Sequence, residues 1–198
     1  MITANIYSRA ELLPTERDPL IHGLEILGAS VGGVALQDFI VTKQLSRDKR
    51  RGLNLSNIAV EEFNPTVDMH IFIAPYFRKN YSKVQGFARL GDGTTFLNGN
   101  MHSTPKNKST LLLHESAHAL GYEHCNSGDC VMTPFSPNTL TIEELMKMFE
   151  TETPEDVYRY HVDGPDSFCT DCEQHIKQTI DNNVDDLRNA RLAFGIRL

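Results

Sequence analysis

The sequence predicts an α+β fold. A twisted mixed β-sheet with helices forms an N-terminal lobe, one helix carries a dense histidine motif, and the C-terminal lobe is irregular and helical. Three observations lead there. "ITANIY" (Ile2–Tyr7) alternates apolar and polar residues, and "DMHIFIAPYF" (Asp68–Phe77) is apolar on both faces. An Asp-Gly turn inside "GDG" (Gly91–Gly93) separates two further strand-like runs. Beyond Gly121 strand signals are few and helical spacing takes over.

Taken in order, "ITANIY" is the first strand, with Ile2, Ala4 and Ile6 on one face. Asp18 is expected to cap the first helix and Pro19 to take its first position. Leu20, Leu24 and Leu27 line its buried side, and Gly28 stops it. "VALQDFIV" (Val34–Val41) follows as a strand, at a distance suited to a crossover connection. Residues 47–65 carry no assignable pattern. Asp68–Phe77 then reads as a central buried strand, and "VQGFARL" and "TTFLNGN" as the two arms of a hairpin. After Pro105 a helix is expected, capped by Asn107 or Ser109, with Leu113, Ala117 and Leu120 as its buried stripe and Gly121 as its end. Further helices are expected in "TIEELMKMFE", after Pro154, and from about Glu173. The whole, residues 1–198, suits one domain with lobes over 1–121 and 122–198.

Composition narrows the partners. Hydrophobic residues at 40% and charged residues at 23% are ordinary for a globular chain of 198 residues. A formal charge of −7 argues against a nucleic-acid partner, and the basic run "SRDKRR" (Ser46–Arg51) reads as a solvated loop. No apolar run has the length of a membrane span, and "MITANIYSRAELLPTERD" lacks the basic start and apolar segment of a signal peptide. The expectation is a cytoplasmic protein without a membrane partner. Four cysteines could pair as disulfides in three ways. In a reducing compartment, two close pairs, Cys125 with Cys130 and Cys169 with Cys172, fit a tetrahedral thiolate site for zinc better.

The densest chemistry lies in "HESAHALGYEH" (His114–His124). His114 and His118 are four residues apart on the expected helix, so both imidazoles reach one ion from the same face. Glu115 is offset sideways, badly placed as a ligand and well placed to touch a water on the metal. Gly121 lets the chain leave the helix with positive φ and return, bringing His124 in as a third ligand. Three protein ligands leave one position open, the arrangement of a catalytic zinc. His70 is expected to be a hydrogen-bonded core residue, and His22, His102, His161 and His175 lack ligand-like spacing.

These residues, with Cys125, Cys130, Met132 and the later "CTDC" (Cys169–Cys172), resemble the archaemetzincins, a family of the metzincin zinc peptidases. The resemblance implies a zincin-like fold and two zinc ions in a single catalytic domain. The catalytic zinc would sit on His114, His118 and His124 with Glu115 as general base. Met132 would form a methionine turn, and Cys125, Cys130, Cys169 and Cys172 would hold a structural zinc. It also implies a peptide or protein substrate, paired along "QGFARL" as an edge strand. A monomer is expected, without a sequence feature that decides it. The stretch between Met132 and Cys169 is longer than the family pattern. Tyr122 and Tyr160 are both open as a second oxyanion donor. The alternative is a two-zinc scaffold or binding protein with weak or vestigial hydrolysis, against which the intact Glu115 stands.

Overall fold

The computed structural model describes residues 1–42, 45, 64, 66–74, 86–99, 105–133 and 166–178. The basic run 46–51, most of 47–65, the helices expected in "TIEELMKMFE" and after Pro154, and His102, Tyr160 and His161 lie outside the described residues. Seven elements carry the fold: β1 (Ile2–Ser8), α1 (Pro14–Val31), β2 (Val34–Val41), β3 (Met69–Ala74), β4 (Gly86–Arg89), β5 (Thr94–Asn98) and α2 (Pro105–Ala119). A helical segment over residues 170–178 follows.

The sheet has strand order β2-β1-β3-β5-β4. Its first four strands run parallel, and β4 pairs antiparallel with β5 through the Gly91–Gly93 turn. The long apolar run does supply the central strand, β3. "QGFARL" supplies β4, at one edge of the sheet among the described strands.

Side-chain alternation divides the strands between two cores. Ile2, Ala4, Ile6, Met69, Ile71 and Leu97 join Leu20, Leu24 and Leu27 of α1 and Leu111, Leu112 and Leu113 of α2 in the main core. Cys130, Val131, Met132, Cys172 and Ile176 belong to that same core. On the opposite face Tyr7, Phe72, Phe96 and Phe87 form a stacked ladder across β1, β3, β5 and β4, with ring centroids 4.8, 5.2 and 4.7 Å apart. His70 is fully buried beside it, its Nδ1 3.0 Å from the Tyr7 hydroxyl, as a core histidine should be.

Three helix boundaries differ from expectation. α1 starts at Pro14, not at Asp18–Pro19, because Pro14 already supplies the preset φ of a first position. The Glu16 carboxylate then accepts the Leu13 N–H, 2.9 Å away. Pro19 sits inside the helix, where it removes one ladder bond. Gly28 is internal too. The stop is Gly32, at φ 79°, and the Gly33 N–H returns to the Gly28 carbonyl at 2.7 Å. α2 likewise starts at Pro105, ahead of both expected caps. Ser109 is inside it, its hydroxyl donating to the Lys106 carbonyl at 2.9 Å.

α1 and α2 cross closely at Gly23, where a Cβ would lie 2.7 Å from the Ser109 carbonyl oxygen. This contact presses α2 into the core, and Ser109 through Ala117 are all buried. The hairpin turn closes the other end of α2. Gly91 and Gly93 N–H groups donate to the His118 and Ala119 carbonyls, at 3.1 and 2.8 Å, and occupy acceptors that a helix end leaves free.

Candidate metal centre

α2 is rigid where it carries His114 and His118, and it ends where the sequence says it should. Gly121 has φ 98°, and its N–H donates to the His118 carbonyl at 2.9 Å. The turn brings His124 back over the helix. The Nε2 atom of His118 lies 3.1 Å from Nε2 of His114 and 3.1 Å from Nε2 of His124. Ligand nitrogens at ~2.0–2.1 Å on a tetrahedral zinc stand about 3.3–3.4 Å apart, so the triangle matches that ion.

The other ring nitrogens say why. His114 Nδ1–H donates to the Val131 carbonyl at 2.7 Å, and His118 Nδ1–H to the Tyr122 carbonyl. These bonds fix the tautomer and turn the Nε2 lone pairs inward. Inward-facing lone pairs at 3.1 Å repel unless a cation lies between them. Burial lowers the pKa of His118 and of His124, which favours the neutral imidazoles that bind a metal. His114 is buried, His118 half-buried and His124 exposed, so the triangle opens to solvent on the His124 side.

Glu115 stands outside the ligand set. It is 8% exposed, and burial pushes its pKa up from 4.5 to about 7. No described residue donates a hydrogen bond to its carboxylate. A buried carboxyl group thus directly follows the first histidine of the triangle in the chain.

The four cysteines also come together. Their Sγ atoms lie within 4.8 Å of one another, and all four are free thiols. A tetrahedral zinc with Zn–S near 2.3 Å sets sulfurs about 3.8 Å apart, which this spacing accommodates. Cys130 and Cys172 are 1% exposed, and burial raises the pKa of each, while the Cys172 backbone N–H lowers that of Cys169. Four sulfurs in so small a volume form a donor set that suits a soft divalent cation such as zinc, which would hold them as thiolates. The Cys130 sulfur accepts the Met132 and Cys169 N–H groups, each at 3.4 Å.

The two centres share one loop. Cys125 N–H donates to the Met132 carbonyl at 3.0 Å, and Val131 N–H to the Ser167 carbonyl at 2.8 Å. Met132 is fully buried directly after Val131, whose carbonyl orients His114. Nothing in the residue types marks the Val131 and Tyr122 carbonyls, because a main-chain acceptor has no residue signature. The Tyr122 ring stands edge-on to His175 at 5.6 Å, with the Cys172 side chain near its hydroxyl. Of the two tyrosines open as oxyanion donors, this one lies against the thiol cluster.

No protein-family model and no curated protein matches the chain. Solved structures do. An archaemetzincin from Methanopyrus kandleri shares 15% identity, with 91% of this chain and 96% of that one covered at a TM-score of 0.60. An archaemetzincin from Archaeoglobus fulgidus, complexed with malonate, shares 18% identity over 87% and 99% at 0.56. A zinc-dependent peptidase from Methanocorpusculum labreanum shares 13% over 88% and 99% at 0.53. With nearly the whole of each chain covered, the common element is the architecture: this chain has the archaemetzincin fold.

Proposed function

We propose that the protein is a zinc-dependent metallopeptidase whose single catalytic domain, residues 1–198, holds two zinc ions. His114, His118 and His124 would hold the catalytic ion, and Cys125, Cys130, Cys169 and Cys172 the structural one. The observation that carries this is the triangle of three Nε2 atoms, two of them 3.1 Å from the third, with a non-ligating buried acid next to it. When bound on three neutral imidazoles, zinc supplies a Lewis acid that acidifies water toward a pKa of about 7 and polarises a carbonyl.

The chain's own groups do the rest. Glu115 takes the proton of the attacking water as its oxygen bonds to the peptide carbonyl carbon. It then hands that proton to the nitrogen as the C–N bond breaks. Burial holds its pKa up, and a dication bound nearby would pull it down toward the ionised form that accepts a proton. The outer main chain of β4 offers hydrogen bonds to an extended peptide, which would add to the sheet as a further strand. Met132, packed in the main core behind Val131, would floor the histidine site as the methionine turn. The substrate would be a peptide or protein, and the protein a cytoplasmic monomer, where thiols stay reduced. No helix of the described residues is long and apolar enough to cross a membrane.

Glu115→Gln tests the mechanism. The amide keeps the size of the side chain and loses its basicity. Hydrolysis of a peptide the parent cuts should fall by ~10²–10⁴. Zinc content and melting temperature should hold, since Glu115 is not a ligand. Wild-type turnover in this variant, or no cleavage of a broad peptide library by the zinc-loaded parent, would leave a two-zinc scaffold in its place.

A further inference from the structure

Gly86 opens the edge strand β4, and it is not among the glycines with positive φ. Its backbone therefore does not demand glycine, and its surroundings do. A Cβ at this position would lie 3.0 Å from Cγ of Glu115, 3.2 Å from Cδ2 of Leu97 and 3.2 Å from the Phe96 carbonyl oxygen. The space that a side chain would take is filled by the stem of Glu115. One strand over, the Thr95 hydroxyl lies 3.4 Å from the Glu115 carbonyl oxygen, so this turn of α2 rests on the β4–β5 pair. The Glu115 carboxylate has no hydrogen bond from the described residues, which leaves packing of its stem to choose its rotamer.

We propose that Gly86 is a positioning residue for Glu115: its missing side chain lets the edge strand lie against α2 and holds the carboxylate beside the histidine triangle. The role rests on the peptidase function proposed above. A methyl group at Gly86 would make contacts of 3.0–3.2 Å, so its neighbours must give by a few tenths of an ångström. The Phe96 carbonyl belongs to the sheet, which leaves the Glu115 stem at 3.0 Å to take up most of the shift. Movement of the stem displaces the carboxylate relative to the three Nε2 atoms. Errors of ~1 Å in such placement cost up to about 10²-fold in rate.

The test uses the zinc-loaded full chain with Gly86→Ala, Glu115→Gln and both together. Gly128→Ala is the control, as nothing lies within 4 Å of a Cβ there. In Gly86→Ala, kcat should fall about tenfold or more while KM stays within about twofold and zinc content is unchanged. In the Glu115→Gln background, Gly86→Ala should lower kcat no further, since the group it displaces no longer works. Melting temperatures check the contact without activity: Gly86→Ala should lower Tm in the parent and by less in Glu115→Ala, where the stem is gone. An unchanged kcat, multiplicative losses in the double variant, or equal Tm shifts in both backgrounds would overturn the proposal while the parent still cuts peptides. A parent that cuts none overturns the peptidase function, and this role with it.

Discussion

The histidine triangle and the thiol cluster are built in opposite ways. His114 and His118 stand on α2, which is buried by α1, pressed by the Gly23–Ser109 crossing and closed at its end by the hairpin turn. The helix that carries them is held by packing and main-chain hydrogen bonds that involve no ion. Cys125 and Cys130 come from a loop without regular structure, and Cys169 and Cys172 from the start of a helical segment far along the chain. Among the described residues these pieces meet through Val131 N–H to the Ser167 carbonyl, the Tyr122–His175 ring contact, Ile176 in the main core and the thiols themselves, with Lys106 paired to Asp166 at 3.5 Å. The histidines stand on a buried helix, whereas the thiols tie together two stretches far apart in the chain.

The largest effect should therefore come from the cysteines. Cys130→Ser removes a buried sulfur that accepts two backbone N–H groups and, on this reading, one of four zinc ligands. Structural zinc sites couple directly to folding, and losing one costs well beyond the usual 0.5–3 kcal/mol of a point mutation. For a chain of this size, with about 2–4 °C per kcal/mol, Tm should fall by about 10 °C or more under reducing conditions. A variant melting within about 2 °C of the parent would break the contrast, because the cluster would then be ordinary core thiols.

The histidine site should be the more labile and the less structural. His124 is its exposed member and arrives on the loop, so His124→Ala should drop the zinc content from two ions to one while leaving α2 in place. Its Tm shift should be less than about half that of Cys130→Ser, the remainder reflecting lost ligand linkage. The same asymmetry predicts the order of extraction. A chelator should empty the open triangle first, and only the second ion's release should bring loss of helical signal. Simultaneous release, followed by elemental analysis and circular dichroism, would mean that the two sites share one stability.

How much of this was legible in the sequence follows the same division. The strands were readable because period-two alternation and an Asp-Gly turn leave marks in residue type, as at Ile2, Ala4, Ile6 and Gly91–Gly93. The ligands were readable because imidazoles and thiols are rare and their offsets are fixed by helix geometry. Helix starts were not. Pro14 and Pro19 both carry the signature of a first position, and only the Glu16 bond to Leu13 decides between them. The orienting carbonyls of Val131 and Tyr122 were invisible for a different reason, since every residue has one. Gly86 was hidden as well: its meaning lies in what stands 3.0 Å away, a fact of packing.

The smallest predicted effect falls on the residue that touches both centres. Tyr122 gives its main-chain carbonyl to His118 and its hydroxyl to Cys172. Burial and the bond to that sulfur together push the Tyr122 pKa upward, so the phenol stays a donor across the working pH range. Tyr122→Phe keeps the backbone acceptor and the ring against His175, and removes only the hydroxyl. A hydrogen bond of this kind has a net value near 1 kcal/mol, so Tm should fall by about 2–4 °C. Zinc should leave the thiol cluster faster, since its sulfur has lost a donor that offsets its charge, while the histidine site and kcat hold steady. If kcat instead falls by about tenfold or more with Tm unchanged, the hydroxyl serves the reaction rather than the thiols. Tyr122 would then swing toward substrate as the missing oxyanion donor, and the two centres would be joined through chemistry rather than through the loop.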